Sequence, residues 1–295
     1  MTNANTNSEL NRCSRPEDDG GLADTVWTAG NYDRVAPNFY SMAGILVDRL
    51  AVTEAERVLD IGCGTGTVAI TAARRGADVI GVDATQSFLE RASENAESAG
   101  VNERIDWKSG DAAALPFEAD RFDTTLSNLG HMYADPATDA ASELVRVTRP
   151  GGQIGFTAWT PSSLYPALAS ALLPYLDPDD IPDYSSPPFM WGDEATVTSR
   201  LDDATNDSTI ETKTVAYPAL SPEHFWETTR ATSGTFRTLI ETISESHHPV
   251  LRDELLEHIE PTFDDRRNEV ELEYLLVTGT VDTPNEGVDS NEQAP

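Results

Sequence analysis

The chain has 295 residues and a formal net charge of −31, from 51 acidic against 20 basic residues. Only Lys108 and Lys213 are lysines, and no Lys/Arg stripe offers a surface for a phosphate backbone, which argues against a nucleic-acid partner. Acid excess with arginine in place of lysine reads as a cytoplasmic protein of an extreme halophile, where multimolar salt screens charges to about 3 Å.

The length suits one large α/β domain, or a domain with an elaboration. Cys13 and Cys63 give no disulfide framework and point to a reducing compartment. No apolar run approaches the ~18 to 20 residues of a membrane span. The start, "MTNANTNSELNRCSRPEDDGG", has neither the basic opening nor the apolar middle of a signal peptide and reads as a polar, disordered leader.

In chain order, "YDRVAPNFYSMAGILVDRLAV" predicts one or two helices interrupted near Pro37. "RVLDIG" is a short buried strand, followed by the helix "TVAITAARRG" with a left-handed stop at Gly76. "ADVIGVD" is a second strand, and the helix "TQSFLERASENAESAG" follows, opened by Thr85 and closed by Gly100. "RIDWKSGD" and "RFDTTLSNLG" are the third and fourth strands. The next helix, "DPATDAASELVRVTRPGG", has Asp135 as N-cap and Pro150 as stop, and "QIGFTAW" is the fifth strand. This alternation predicts a parallel sheet with helices on both faces. Residues 160–206 break the rhythm with prolines and with Tyr165, Tyr175, Tyr184, Phe189 and Trp191; a loop-rich insertion of that length is expected to be functional. "TIETKTVAYP" is a later strand, helices run from "SPEHFWETTR" to about Ile259, and "VELEYLLVTGTV" closes the sheet.

The segment "RVLDIGCGTG", residues 57–66, carries the chemistry. A strand that ends in glycines and feeds a helix presents free backbone amides to a ligand, and bare main chain lets that ligand come close. A dinucleotide site wants G-x-G-x-x-G. Here Gly62, Gly64 and Gly66 put the third glycine one residue early, and Asp60 would stand badly beside a diphosphate. An acid there suits a cation. Asp83 ends the second strand about 20 residues on, where a carboxylate can accept both ribose hydroxyls; a nicotinamide cofactor would use it equally.

The pattern D-x-G-x-G-x-G resembles motif I of the class I S-adenosylmethionine-dependent methyltransferases, and the resemblance extends from about Gly30 to Trp159. It implies that Asp60, Gly62, Cys63, Gly64 and Gly66 hold the amino-acid end of the cofactor. Asp83 with Ala84 would take the ribose, and Asp111 and Ala112 in "SGDAAALPF" the adenine. Asn128, at the end of the fourth strand with Ser127 and Leu129, would lie under the methionine moiety. Tyr32 resembles a tyrosine of an N-terminal helix that covers the cofactor, although an amphipathic packing role explains it equally. The implied fold is a Rossmann-like, doubly wound, seven-stranded sheet of order 3-2-1-4-5-7-6, with the last strand antiparallel and a lid insertion after strand 5. The expected domain plan is a leader over 1–21, a cofactor-binding core over 22–160, and a lid or substrate insertion over 161–206. The remaining sheet with inserted helices follows over 207–281, then a polar tail over 282–295. The likeness is greatest to the small-molecule branch that contains ubiquinone and menaquinone biosynthesis methyltransferases.

Methyl transfer needs a nucleophile aligned about 3 Å from an already activated carbon and, for protonated acceptors, a base. His131, with an ordinary pKa near 6.5, is the candidate catalytic base; a packed or exposed loop histidine is the alternative. Tyr133, Tyr32 and Tyr40 are further candidates. Tyr133, Trp159 and Trp191, with Phe189, are expected to wall the pocket of a small, apolar or aromatic substrate. His247, His248 and His258 lack the partners of a metal site, so no metal is expected. An NAD(P)-dependent oxidoreductase and a non-catalytic S-adenosylmethionine-binding protein are the other readings. A monomer or homodimer is expected.

Overall fold

The computed structural model describes residues 27–181, 184–201 and 204–283. The leader expected over 1–21, Cys13 and the tail beyond Thr283 lie outside the described residues. The sheet holds β1 (Arg57–Ile61), β2 (Asp78–Asp83), β3 (Ile105–Ser109), β4 (Phe122–Asn128), β5 (Thr148–Trp159), β6 (Thr205–Pro218), β7 (Phe263–Asp264) and β8 (Glu269–Val281). The path is β3-β2-β1-β4-β5-β8-β6, and β7 pairs off it on β8. β1 to β5 are parallel, and β8 enters reversed between β5 and β6. This is the expected order, with one correction: a two-residue β7 precedes the closing strand, which is therefore the eighth and not the seventh.

Helices cover both faces, so the central strands read as nearly unbroken apolar runs. Leu59, Ile61, Leu126 and Phe156 are all buried. The entry region splits as Pro37 requires: α1 (Tyr32–Val35), a 3-10 turn over Ala36–Phe39, then α2 (Tyr40–Arg49), whose buried Met42, Ala43, Leu46 and Val47 form one face. α3 (Thr67–Ala73) and α4 (Gln86–Ala99) follow β1 and β2. α5 (Ala137–Val147) starts one residue later than expected: Pro136 takes the N-cap position, and the Asp135 carboxylate accepts the Ser185 amide at 2.9 Å.

The segment expected to be loop-rich contains two helices, α6 (Leu164–Leu172) and α7 (Glu194–Leu201), joined by 3-10 turns. Leu164, Leu168 and Leu172 recur at helical spacing and are buried, while Pro166 sits in the first turn, where a missing N–H costs little. The prolines obscure that period in the sequence. Beyond β6 come α8 (Pro222–Thr232), α9 (Gly234–Thr242) and α10 (His248–Ile259). Ser221 Oγ caps α8 by accepting the His224 amide at 3.0 Å. Parallel pairing brings the carboxyl ends of β1, β2, β3 and β4 to one edge, where an open α/β sheet offers its crevice. Among the described residues no helix is long and apolar enough to cross a membrane.

Candidate active site

The glycine loop runs from the end of β1 into α3. Gly62, Gly64 and Gly66 adopt φ of 62°, 52° and 88°, a region that costs other L-residues about 1–2 kcal/mol. At Gly62 there is also no room: a Cβ would stand 2.7 Å from the Gly130 Cα, so the loops after β1 and β4 touch backbone to backbone. At Gly64 the space above is taken by the Tyr32 ring, 3.3 Å from where a Cβ would be.

Two carboxylates brace the loop. Asp60 is buried; its Oδ2 accepts the Ala69 amide at 2.9 Å, in the first turn of α3, while its Oδ1 is buried with no partner. Burial pushes its carboxyl well above the ordinary range, against the Ala69 hydrogen bond and helped by the Asp83 charge. Asp83 Oδ2 accepts the Gly64 amide at 2.8 Å and Oδ1 the Thr85 amide at 2.9 Å; burial raises its carboxyl too.

Over these strand tips lies a cleft of about 760 Å³, lined by Tyr32, Gly62, Gly64, Asp83 and Ala84, and further along by Asp111, Ala112 and Asn128. Asp111 is exposed and its Oδ1 accepts the Ala113 amide at 2.8 Å, an Asx-turn that fixes the loop. Asn128 Oδ1 accepts from Thr157 Oγ1 at 2.7 Å. The neighbouring Leu129 holds φ at 62°, with its amide donating to the Thr157 carbonyl and hydroxyl at 3.2 and 3.1 Å. A second, apolar chamber of about 130 Å³ adjoins the cleft. Trp27, Tyr32, Leu129 and Tyr133 line both, so they frame the passage between them. Trp159, Tyr165, Tyr217 and Phe236 close the far side.

Several expected site residues stand elsewhere. Cys63 is buried between β1 and β2, with its amide donating to the Val82 carbonyl at 3.0 Å, and lines neither cavity. At Gly66 a Cβ would meet the Trp107 ring at 2.8 Å; its bareness serves packing, and it too lies off the cleft. Trp191, expected in the substrate pocket, is fully buried and lines neither cavity; it packs on His131, centroids 4.3 Å apart, and under the Arg200 guanidinium at 4.4 Å. His131, the candidate base, is 2% exposed, wedged between Phe156 and Trp191, with neither ring nitrogen partnered. Burial, with Arg200 adding to it, lowers its pKa to about 3. An imidazole so placed cannot reach an acceptor in either cavity. Tyr40 is half exposed and lies outside both.

Sequence reasoning missed Trp27, Phe88, Tyr217 and Phe236. Phe88 stacks near Tyr32 at 5.1 Å, and Trp27 meets Tyr133 edge-on at 4.8 Å. Each comes from a different element, and no local pattern marks it. Among the described residues no group of three or more His, Cys, Asp or Glu side chains is placed to hold a metal.

Residues 58–152 match the sequence pattern of the family described as "Methyltransferase domain". Over that stretch the chain has the sequence pattern of a methyltransferase domain. The matched stretch begins in β1 and ends in β5, and so contains the glycine loop, Asp83, Asp111 and Asn128. An uncharacterized protein of Mycobacterium tuberculosis is 37% identical over 181 residues, covering 60% of this chain and 64% of that protein. A ubiquinone/menaquinone biosynthesis C-methyltransferase of Dinoroseobacter shibae is 34% identical over 151 residues, 48% of this chain and 60% of the enzyme. The chain thus spans a little under two thirds of these relatives. Among solved structures, a putative methyltransferase from Bacillus halodurans aligns with TM-score 0.55 at 18% identity, over 82% of this chain and 100% of that one. A Haemonchus contortus N-methyltransferase complexed with S-adenosylhomocysteine aligns with TM-score 0.53 at 17% identity, over 82% of this chain and 53% of that one. At such identities these two share the fold.

Proposed function

We propose that the chain transfers a methyl group from S-adenosylmethionine to a small, apolar or aromatic metabolite, in the small-molecule branch of the class I methyltransferases. The observation that carries this is the junction of the two cavities: a carboxylate-edged cleft opens, past Trp27, Tyr32, Leu129 and Tyr133, into a chamber lined, among the described residues, without a single charged side chain. The cofactor supplies a methyl carbon activated by a sulfonium leaving group. The residues present fit it. Asp60 lines neither cavity, but its Oδ1 is a buried acceptor without a partner beneath the glycine loop, and its charge would favour a cation above it. Gly62 and Gly64 leave the main chain bare beside it. Asp83, already raised by burial, gains from ribose hydroxyl donors and from nearby positive charge. Asp111 and Ala112 line the cleft where the adenine would rest. Tyr32 covers Gly64 and, with Tyr133, excludes water from the passage, which strengthens every electrostatic contact inside.

The oxidoreductase reading is disfavoured by the glycine register, whose third glycine comes one residue early, and by the acid Asp60 under the loop. The test is calorimetry: S-adenosylhomocysteine should give heat where NADH gives none. A labelled methyl group should then pass to a component of a native small-molecule extract. Cofactor affinity without any methyl turnover would leave the non-catalytic binding protein. We further read the arginine-for-lysine acid excess as adaptation to concentrated salt.

A further inference from the structure

We propose that the acceptor enters the chamber as a neutral compound about one ring in size, bearing a nitrogen or sulfur lone pair, and leaves it as a methylated cation. This rests on the methyltransferase reading above. Size comes first. The chamber measures about 130 Å³, and an apolar cavity of about 150 Å³ takes up a single benzene.

The second observation is the missing base. Among the described residues no Asp, Glu, His, Lys or Arg lines the chamber. Its phenols Tyr32, Tyr133, Tyr165 and Tyr217 are all pushed up by burial, so they keep their protons. His131 is shut behind Phe156 and Trp191. A hydroxyl or thiol acceptor would have to shed a proton that no chamber wall can take, since the carboxylates Asp83, Asp111 and Asp135 line the adjoining cleft instead. An anionic acceptor would lose its water against uncharged walls, in a chain of net charge −31.

The third observation is the ring wall. Phe39 meets Trp159 at 5.3 Å, Trp159 meets Tyr165 at 5.3 Å, and Tyr165 meets Phe236 at 5.9 Å between centroids. Aromatic rings attract a desolvated cation. The charge balance closes without a proton. The acceptor's lone pair forms the new N–C or S–C bond, the sulfonium S–C bond breaks with its electron pair on sulfur, and the positive charge moves to the product.

The test uses the full chain saturated with S-adenosylhomocysteine and two probes of one shape, N-methylpyridinium and toluene, titrated by calorimetry. The cation should bind about tenfold tighter, and the ratio should shrink in Phe236→Leu while the S-adenosylhomocysteine heat of that variant stays. Equal or tighter toluene binding overturns the proposal, as does an unchanged ratio in the variant. With S-adenosylmethionine, pyridine or thioanisole should yield a methylated cation at a rate flat from neutral to alkaline pH. Methylation of phenol or thiophenol in their place, or of none of the four, overturns it and leaves the methyltransferase reading standing. Absence of any S-adenosylhomocysteine heat in the wild-type chain overturns both.

Discussion

Asp83 reaches from the tip of β2 to the glycine loop, its Oδ2 accepting the Gly64 amide at 2.8 Å. The same carboxylate that would take the ribose thus also holds the loop that would face the amino-acid end. Asp83→Ala should therefore weaken S-adenosylhomocysteine binding by about 1–3 kcal/mol, the cost of leaving hydrogen-bonded partners unmet. Titration calorimetry checks it; unchanged affinity would show that the cofactor does not use this acid.

Gly62 and Gly64 share a backbone conformation and should fail differently. Gly62→Ala adds a backbone collision at 2.7 Å with Gly130 to the left-handed strain, so its loss of stability should exceed the ~1–2 kcal/mol of the conformation alone. Gly64→Ala meets only the Tyr32 ring at 3.3 Å, which can swing aside. That variant should lose less in thermal midpoint and more in cofactor affinity. Equal thermal losses in the two would contradict the packing described.

Binding should release protons. Burial raises the carboxyls of Asp60 and Asp83, so the free protein holds protons there above the ordinary carboxylate range. A positive charge and hydroxyl donors favour the ionised forms. Affinity for S-adenosylmethionine should climb as pH rises through that raised range and flatten above it. Calorimetry in two buffers of different ionisation enthalpy, at mildly acidic pH, reads the protons directly; identical heats in both would refute the linkage. By the same sign, these two acids lower folding stability as pH rises through that range, because the folded state binds more protons than the unfolded one.

His131 has the opposite linkage. Its folded pKa of about 3 lies below its unfolded value near 6.5. The stability it contributes is whole above pH ~6.5 and is lost as pH falls toward 3, by up to about 1.4 kcal/mol per pH unit, as the unfolded chain takes up the proton. His131→Leu should make acid unfolding shallower over that window and leave S-adenosylhomocysteine affinity and methyl turnover in place. Loss of turnover with intact affinity would restore the imidazole as a base.

Salt should stabilise the fold. Self-repulsion within a chain of net charge −31 is screened to about 3 Å at 1 M ionic strength. The thermal midpoint should rise steadily as KCl goes from millimolar to multimolar, more than it does in glycerol or sucrose. A midpoint that ignores KCl would remove the case for a halophilic cytoplasm.

What the residues determined alone was the order of the layers. Short apolar strands alternating with helix-period segments leave one economical arrangement, and the spacing from Gly64 to Asp83 to Asp111 puts all three at the carboxyl edge of a parallel sheet, because each follows its strand. The glycine register and Asp60 carried the expectation of a cationic ligand in place of a diphosphate. Tertiary packing decided the rest. His131 stands three residues after Asn128, and only the arrival of Trp191 and Phe156 from distant segments turns it from an open imidazole into a sealed one. The chamber is assembled from Phe39, Trp159, Tyr165, Tyr217 and Phe236, which belong to separate elements. Strand and helix periods are set by neighbours a few residues apart, whereas the walls of a cavity are set by contacts across the whole chain. Such contacts leave no mark in local spacing.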